Sequence, residues 1–70
     1  MKMSELKIGQ RIVSSSGNKG YVVGIISTNQ YSETFLELEW EYLKKGILVE
    51  FESLGLIHYK NQAVFDLDFR

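Results

Sequence analysis

The sequence predicts a small all-β domain, a barrel or sandwich built from five or six short antiparallel strands. Residue types that favour strands, namely Val, Ile, Thr, Phe, Tyr and Trp, supply 22 of the 70 residues, whereas alanine occurs once. Apolar and polar residues alternate in several short segments, and turn-forming residues separate these segments. A chain of this length is expected to form one domain over residues 1–70.

The first two predicted strands flank a glycine-rich turn. Residues 6–13 alternate between apolar and polar types, and residues 21–27 are apolar on both faces, which is typical of a central strand. Residues 14–20 (SSSGNKG) form the turn, because glycine and asparagine tolerate positive φ. Gly24 predicts a bend or a close backbone approach within the second strand. Residues 28–32 are polar and are predicted as a loop.

The segment 34–46 fits two structures. As a strand, it places apolar residues on one face and carboxylates on the other, namely Leu36, Leu38, Trp40 and Tyr42 against Glu37, Glu39 and Glu41. As a helix, it has a capping box at Thr34 and Glu37 and a C-terminal cap at Gly46. The strand is favoured because a helix would put Glu39 within its apolar face.

The remaining strands follow in quick succession. Residues 47–52 alternate after the Lys44-Lys45-Gly46 turn, and residues 56–59 form a short apolar run. In residues 65–69 the apolar Phe65, Leu67 and Phe69 alternate with two aspartates, which predicts a last strand.

Composition excludes several classes of function. The chain lacks cysteine and has one histidine, so it cannot form a disulfide, a thiolate metal site or a histidine cluster, and we expect neither metal nor cofactor. The net charge of -1 does not suit non-specific coating of DNA. No apolar stretch approaches the roughly 20 residues that span a bilayer, and the N-terminus does not resemble a secretion signal. We therefore expect a cytoplasmic protein without membrane contact.

Two stretches near the N-terminus resemble the opening of SH3-like small barrels. Residues 8–13 (IGQRIV) match a "hydrophobic, Gly, polar, Arg, Val" start, and residues 17–25 (GNKGYVVGI) match the following turn and strand. KOW, Tudor and Tudor-like helicase modules share this opening. The resemblance implies an SH3-like barrel.

The first 30 residues also resemble plasmid-borne type II dihydrofolate reductase, an SH3-like barrel that works as a homotetramer. Residues 9–11, 16–17 and 23–29 occur in the same order as in that family. Its active strand reads Val-Gln-Ile-Tyr, whereas residues 56–59 here read Leu-Ile-His-Tyr. The resemblance therefore implies a homo-oligomer without reductase activity.

No arrangement of residues predicts catalysis. The serines of residues 14–16, together with His58 and Asp66, supply the residue types of a hydrolytic triad, but no nucleophile elbow accompanies them. The glycines of residues 17–20 are not followed by the Lys-Ser/Thr of a phosphate-binding loop, so they predict a hairpin turn. We therefore predict a non-enzymatic protein.

The predicted function is that of an adaptor or inhibitor that binds a protein partner. Aromatic anchors within a polar rim are typical of such interfaces, and residues 37–42 supply both. The predicted protein-binding residues are Trp40, Tyr42, Glu37, Glu39 and Glu41.

The alternative function is a KOW- or Tudor-like contact with nucleic acid. Residues 1–32 carry a net charge of +3 and residues 33–70 carry -4, so basic side chains concentrate near the N-terminus. The predicted nucleic-acid-binding residues are Lys7, Arg11, Lys19 and Tyr21.

The number of apolar residues points to self-association as a further alternative. A small barrel encloses only the inward side chains of its strands, so some apolar residues are left over. These are Val22, Ile26, Phe35, Leu43, Leu48, Ile57 and Tyr59. They either form satellite clusters or an exposed patch that a partner or a second copy covers.

Overall fold

The structure, a computed structural model, describes residues 1–33 and 44–70. Its regular elements are the strands β1 (Arg11–Val13), β2 (Lys19–Ile25), β3 (Gln30–Tyr31), β4 (Ile47–Phe51) and β5 (Gly55–Tyr59), the helix α1 (Gln62–Asp68), and 3-10 turns at Met3–Glu5 and Ile26–Thr28. The prediction of a small, mostly β, antiparallel fold is confirmed. The alternatives for the segment 34–46 fall largely on residues 34–43, outside the described residues.

The strands form one antiparallel sheet with β2 near its centre. The order is β1-β2-β4-β5, and the short β3 pairs with the end of β2. The pairings give an open sheet within the described residues, so they do not demonstrate a closed barrel. The expected irregularity at Gly24 is present, because the β2–β4 register shifts between Val22 and Gly24.

Successive residues of β2 point to opposite faces of the sheet, as side chains of a strand do. Val22 packs into the larger hydrophobic cluster, here called the major cluster, whereas Val23 packs into the minor cluster. The major cluster comprises Leu6, Ile12, Val22, Ile47, Val49, Phe51, Tyr59, Phe65 and Phe69. The minor cluster comprises Val23, Ile26 and Leu48.

The last predicted strand is wrong, because residues 62–68 form α1. The Asn61 side chain caps this helix by accepting a hydrogen bond from the Val64 N–H at 2.9 Å. Helical spacing then puts Phe65 and Phe69 on one face, where their rings stack with centroids 4.3 Å apart. Leu67, which a strand would have placed beside them, is 63% exposed.

Two other predicted boundaries are wrong. The first strand begins at Arg11 instead of residue 6, because the Gln10 N–H donates to the Lys7 carbonyl and Gly9 adopts a φ of 84°. Residues 28–32 are not wholly loop, since Asn29 turns the chain in the left-handed conformation and β3 follows.

The leftover apolar residues that the structure describes are buried or half-buried. Val22, Leu48 and Tyr59 are at most 1% exposed, and Ile26 lies in the minor cluster. Ile57 is half-buried against the major cluster. Phe35 and Leu43 lie outside the described residues. Only Ile26 and Leu48 lie in the smaller, minor cluster, and the other described members pack in the major cluster. The described part of this set therefore does not form an exposed patch.

Candidate binding cleft

A cleft of about 430 Å³ opens where the N-terminal 3-10 turn, the end of β2, the start of β4 and the start of α1 meet. Its floor is apolar and comprises Met3, Leu6, Ile25 and Ile47. Its polar lining residues are Ser4, Ser27, Thr28, Lys45, Lys60, Asn61 and Gln62. The volume and the apolar floor are typical of sites that receive a small ligand or one side chain.

The close approach of Gly46 to β5 brings the two lysines of the cleft together. A Cβ at Gly46 would lie 2.2 Å from the Tyr59 carbonyl oxygen and 2.8 Å from the Lys60 Cα, and its φ is 96°. Only glycine fits this position. The contact places Lys45, the neighbour of Gly46, beside Lys60 on the rim.

Hydrogen bonds hold the Lys45–Gly46 backbone in place. The Ile26 N–H donates to the Gly46 carbonyl at 2.9 Å, and the Gly46 N–H donates to Ser27 Oγ at 3.2 Å. His58 Nε2 lies 2.8 Å from the Lys45 carbonyl oxygen. Since the carbonyl can only accept, the Nε2–H tautomer donates this bond. The rim backbone is thus tied to both β2 and β5.

Gln62 fixes the opposite wall. Its Oε1 accepts a hydrogen bond from the Met3 N–H at 2.8 Å, and its Nε2 donates to the Met1 carbonyl at 3.0 Å. Nε2 also donates to Asp66 Oδ1 at 2.7 Å, one helical turn away. These bonds attach the N-terminal turn to α1 and set the width of the cleft.

The chemistry of the cleft favours a ligand with an apolar body and an anionic group. The floor excludes water from an apolar group that enters it. Lys45 and Lys60 are exposed, and an ammonium group on a flexible stem can reach a carboxylate without leaving water. Each such contact is modest in strength, so binding depends on both parts together.

The predicted protein-binding residues belong to the segment between Glu33 and Lys44. Trp40, Tyr42, Glu37, Glu39 and Glu41 all lie within residues 34–43, outside the described residues.

The predicted nucleic-acid-binding residues lie mostly on one exposed surface. Register pairs Arg11 with Tyr21, and Tyr21 with Glu50 of β4. Lys19 follows in the next row, where its carbonyl accepts the Glu52 N–H at 2.9 Å. We call these five residues the charged strip.

Lys7, the fourth predicted residue, is exposed in the turn before β1. The charged strip places Glu50 and Glu52 beside the basic residues, and these carboxylates repel phosphate.

The residues that supply the types of a hydrolytic triad have other partners. Ser14 Oγ lies 3.1 Å from Ser16 Oγ and accepts the Asn18 N–H at 3.1 Å. His58 bonds to the Lys45 carbonyl, and Asp66 accepts from Gln62. Each of these bonds is structural.

Sequence reasoning missed the cleft. Lys45 and Lys60 were identified only as turn residues, and nothing in their spacing indicates proximity. The two lysines do lie in turns, one before β4 and one after β5. When two strands of equal length pair antiparallel, the start of one lies beside the end of the other. Inferring their proximity requires knowing that β4 pairs with β5, with Ile47 opposite Tyr59.

Searches for two other kinds of feature are negative over residues 1–33 and 44–70. No three His, Asp or Glu side chains there gather into a group suited to a metal ion. No helix in that part of the chain has the length and apolar character needed to cross a bilayer.

Three comparisons complete the description of the site. Neither models of protein families, nor curated proteins, nor solved structures yielded a match to this chain.

Proposed function

We propose that the protein is a non-enzymatic interaction module that binds a segment of a partner protein in the cleft. One apolar side chain of the partner lies on the floor, and a neighbouring carboxylate lies between Lys45 and Lys60. The observation that carries this proposal is the contact of Gly46 with Tyr59 and Lys60, which places both lysines at the rim of one apolar cleft.

A protein segment suits the cleft because of its size and its composition. The volume of about 430 Å³ accepts a Leu or Phe side chain with part of its backbone. Polar groups on the rim, such as Ser27 and Asn61, can exchange hydrogen bonds with a peptide backbone. An apolar anchor within a polar rim is the usual construction of a protein-binding site.

Fluorescence anisotropy with labelled peptides tests the proposal. The probes are three peptides with the central motifs Glu-Leu-Glu, Lys-Leu-Lys and Glu-Ser-Glu, each extended by serines. We expect the first to bind most tightly, since it alone has both the apolar anchor and the anionic groups. Equal binding of the first two peptides, or no binding of any, would contradict the proposal.

Charge-reversal variants locate the binding on the protein. We expect the double variant Lys45→Glu with Lys60→Glu to weaken Glu-Leu-Glu binding about tenfold, because two exposed ion pairs are lost. Lys7→Glu is the matched control, since Lys7 is equally exposed and lies outside the cleft. If Lys7→Glu weakened binding as much as the double variant does, the weakening would reflect the general loss of positive charge and not the loss of a site in the cleft.

Nucleic-acid binding is the second candidate, supported by the exposed grouping of Arg11, Lys19 and Tyr21 on one face of the sheet. A labelled single-stranded oligonucleotide in the same assay tests it. Salt-sensitive binding that Lys19→Glu weakens, and that the cleft variant leaves intact, would favour this candidate over the cleft.

A further inference from the structure

Within residues 1–33 and 44–70, strand β5 is an edge of the sheet, and it lacks the usual protection against pairing. It stands last in the strand order, and its sequence Gly55-Leu56-Ile57-His58-Tyr59 contains no Lys, Arg, Asp or Glu. Leu56, Ile57 and His58 are half-buried, so they are partly open to solvent. Sheet edges normally carry charges, proline or a bulge that prevents another strand from adding.

The ladder determines which backbone groups of β5 face outward. The Glu52 N–H donates to the Lys19 carbonyl, so the backbone of Glu52 faces β2. Because backbone groups alternate in direction along a strand, Glu50 and Leu48 of β4 also face β2. The residues between them, Phe51, Val49 and Ile47, therefore bond to β5. By the same alternation, the backbone N–H and C=O groups of Gly55, Ile57 and Tyr59 face β4.

Leu56 and His58 therefore point their N–H and C=O groups away from the sheet. Within the described part of the chain, these two residues make no backbone hydrogen bond beyond the β4–β5 ladder.

A second copy of β5 matches this edge. If two copies run antiparallel about a two-fold axis at Ile57, Leu56 of each lies opposite His58 of the other. The outward N–H and carbonyl groups of Leu56 and His58 in both copies then form two hydrogen-bonded residue pairs, with four hydrogen bonds in all. The arrangement is isologous, as a two-fold interface requires.

Side chains also permit this register. The two Ile57 side chains become cross-strand neighbours on the face of the major cluster, and β-branched pairs stabilise antiparallel strands. Leu56 would lie opposite His58 and not opposite a carboxylate. Like-charge repulsion therefore does not oppose the pairing of β5 with itself.

The other edge strand is less suited to self-pairing. β1 has only three residues, so it offers a shorter ladder than the five residues of β5. The C-terminal residues also run beside its end, where the Ser15 N–H donates to the Asp68 carbonyl at 2.7 Å. The Arg70 N–H donates to Ser15 Oγ at 2.8 Å.

From these observations we infer that two copies of the chain associate through β5, joining their sheets into one continuous antiparallel sheet. The contact spans few residues, so the dimer forms and dissociates readily with concentration. This inference does not depend on the proposed function, because the cleft lining contains no residue of β5.

Amide hydrogen exchange of the unaltered protein tests the inference, combined with light scattering after gel filtration. When the protein concentration is raised about a hundred-fold, we expect the molar mass from light scattering to approach that of a dimer. Exchange of the Leu56 and His58 amides should slow at the same time, while the Arg11 and Val13 amides of β1 serve as internal controls. A monomer at every concentration, or protection of β1 instead of β5, would overturn the inference.

A pair of lysine variants provides the second test. Ile57→Lys puts like charges opposite each other at the two-fold axis, and we expect it to remain monomeric under conditions where the unaltered protein dimerises. Val13→Lys is the matched control, because Val13 lies on the other edge strand and is 50% exposed. If Ile57→Lys folds and still dimerises, the inference is wrong. If it unfolds, the exchange measurement decides.

Discussion

The two faces of the sheet carry hydrophobic clusters that differ in construction. The major cluster joins distant parts of the chain, since Leu6 and Phe69 both belong to it. The minor cluster is assembled from β2, the 3-10 turn that follows it, and Leu48 of β4. The first therefore depends on α1 packing across the sheet, whereas the second depends on contacts among β2, the turn that follows it and β4.

The aromatic rings account for much of this difference. Tyr59 meets Phe65 and Phe69 edge-on, with centroids 5.5 and 5.7 Å away, and Phe51 stacks on Phe69 at 6.1 Å. Such ring contacts add to the energy of burial. A helix of seven residues is marginal by itself, so this packing is what stabilises α1.

The largest expected effect comes from the centre of the major cluster. Phe65→Ala should lower the free energy of unfolding by about 3–5 kcal/mol, because it removes a fully buried ring that contacts Tyr59 and Phe69. In a domain of this size, such a loss leaves much of the population unfolded. Urea denaturation measures it. Leu67→Ala, on the exposed face of α1, is the control, and equal destabilisation would contradict the packing described for α1.

A smaller effect is expected in the minor cluster. Leu48→Ala should cost about 2–4 kcal/mol, since Leu48 has no exposed surface but has fewer buried partners than Phe65. Urea denaturation again measures it, with Leu54→Ala as the control because Leu54 is 57% exposed. If Leu48→Ala were more damaging than Phe65→Ala, the minor cluster would be the principal core.

The smallest effect concerns one hydrogen bond at the rim of the major cluster. Tyr59 donates its hydroxyl proton to Asp68 Oδ2 at 2.6 Å. Tyr59→Phe should lower the free energy of unfolding by about 1–2 kcal/mol at neutral pH, because the bond to a carboxylate is lost while the ring stays. The aromatic contacts should persist in the near-ultraviolet spectrum. A stability loss like that of Phe65→Ala would show that the ring packing also failed.

The same variant has a signature in alkali. Burial, together with the neighbouring Asp68 carboxylate, raises the pKa of Tyr59 above its ordinary value of 10. Above pH 10 the unfolded chain loses this proton while the native chain keeps it, so native stability falls as pH rises. Tyr59→Phe should show a shallower fall over this range. Identical slopes for the two proteins would contradict the raised pKa.

Strands β2, β4 and β5 were predictable because their signals are local. Alternation over a few residues and turn residues at each end placed them within two residues of their observed bounds. The helix was not predicted, because Phe65, Leu67 and Phe69 alternate with two aspartates, and this pattern is typical of a strand. The Asn61 cap and the four-residue spacing of the two phenylalanines were present in the sequence.

The candidate cleft was less predictable than the fold. Its lysines lie 15 positions apart, and their proximity follows from the β4–β5 register and the close contact at Gly46. The charged strip was half predictable. Its basic residues were identified from the sequence, whereas their position beside Glu50 and Glu52 follows from the pairing of β2 with β4.

The sequence by itself determined the antiparallel β class and the position of most strands, because those depend on side-chain alternation and turn chemistry among neighbouring residues. Tertiary structure decided that the C-terminal segment is a helix, which face each apolar residue covers, and which charges meet. These outcomes depend on packing between segments far apart in the chain, where burial of the aromatic rings outweighs local preference.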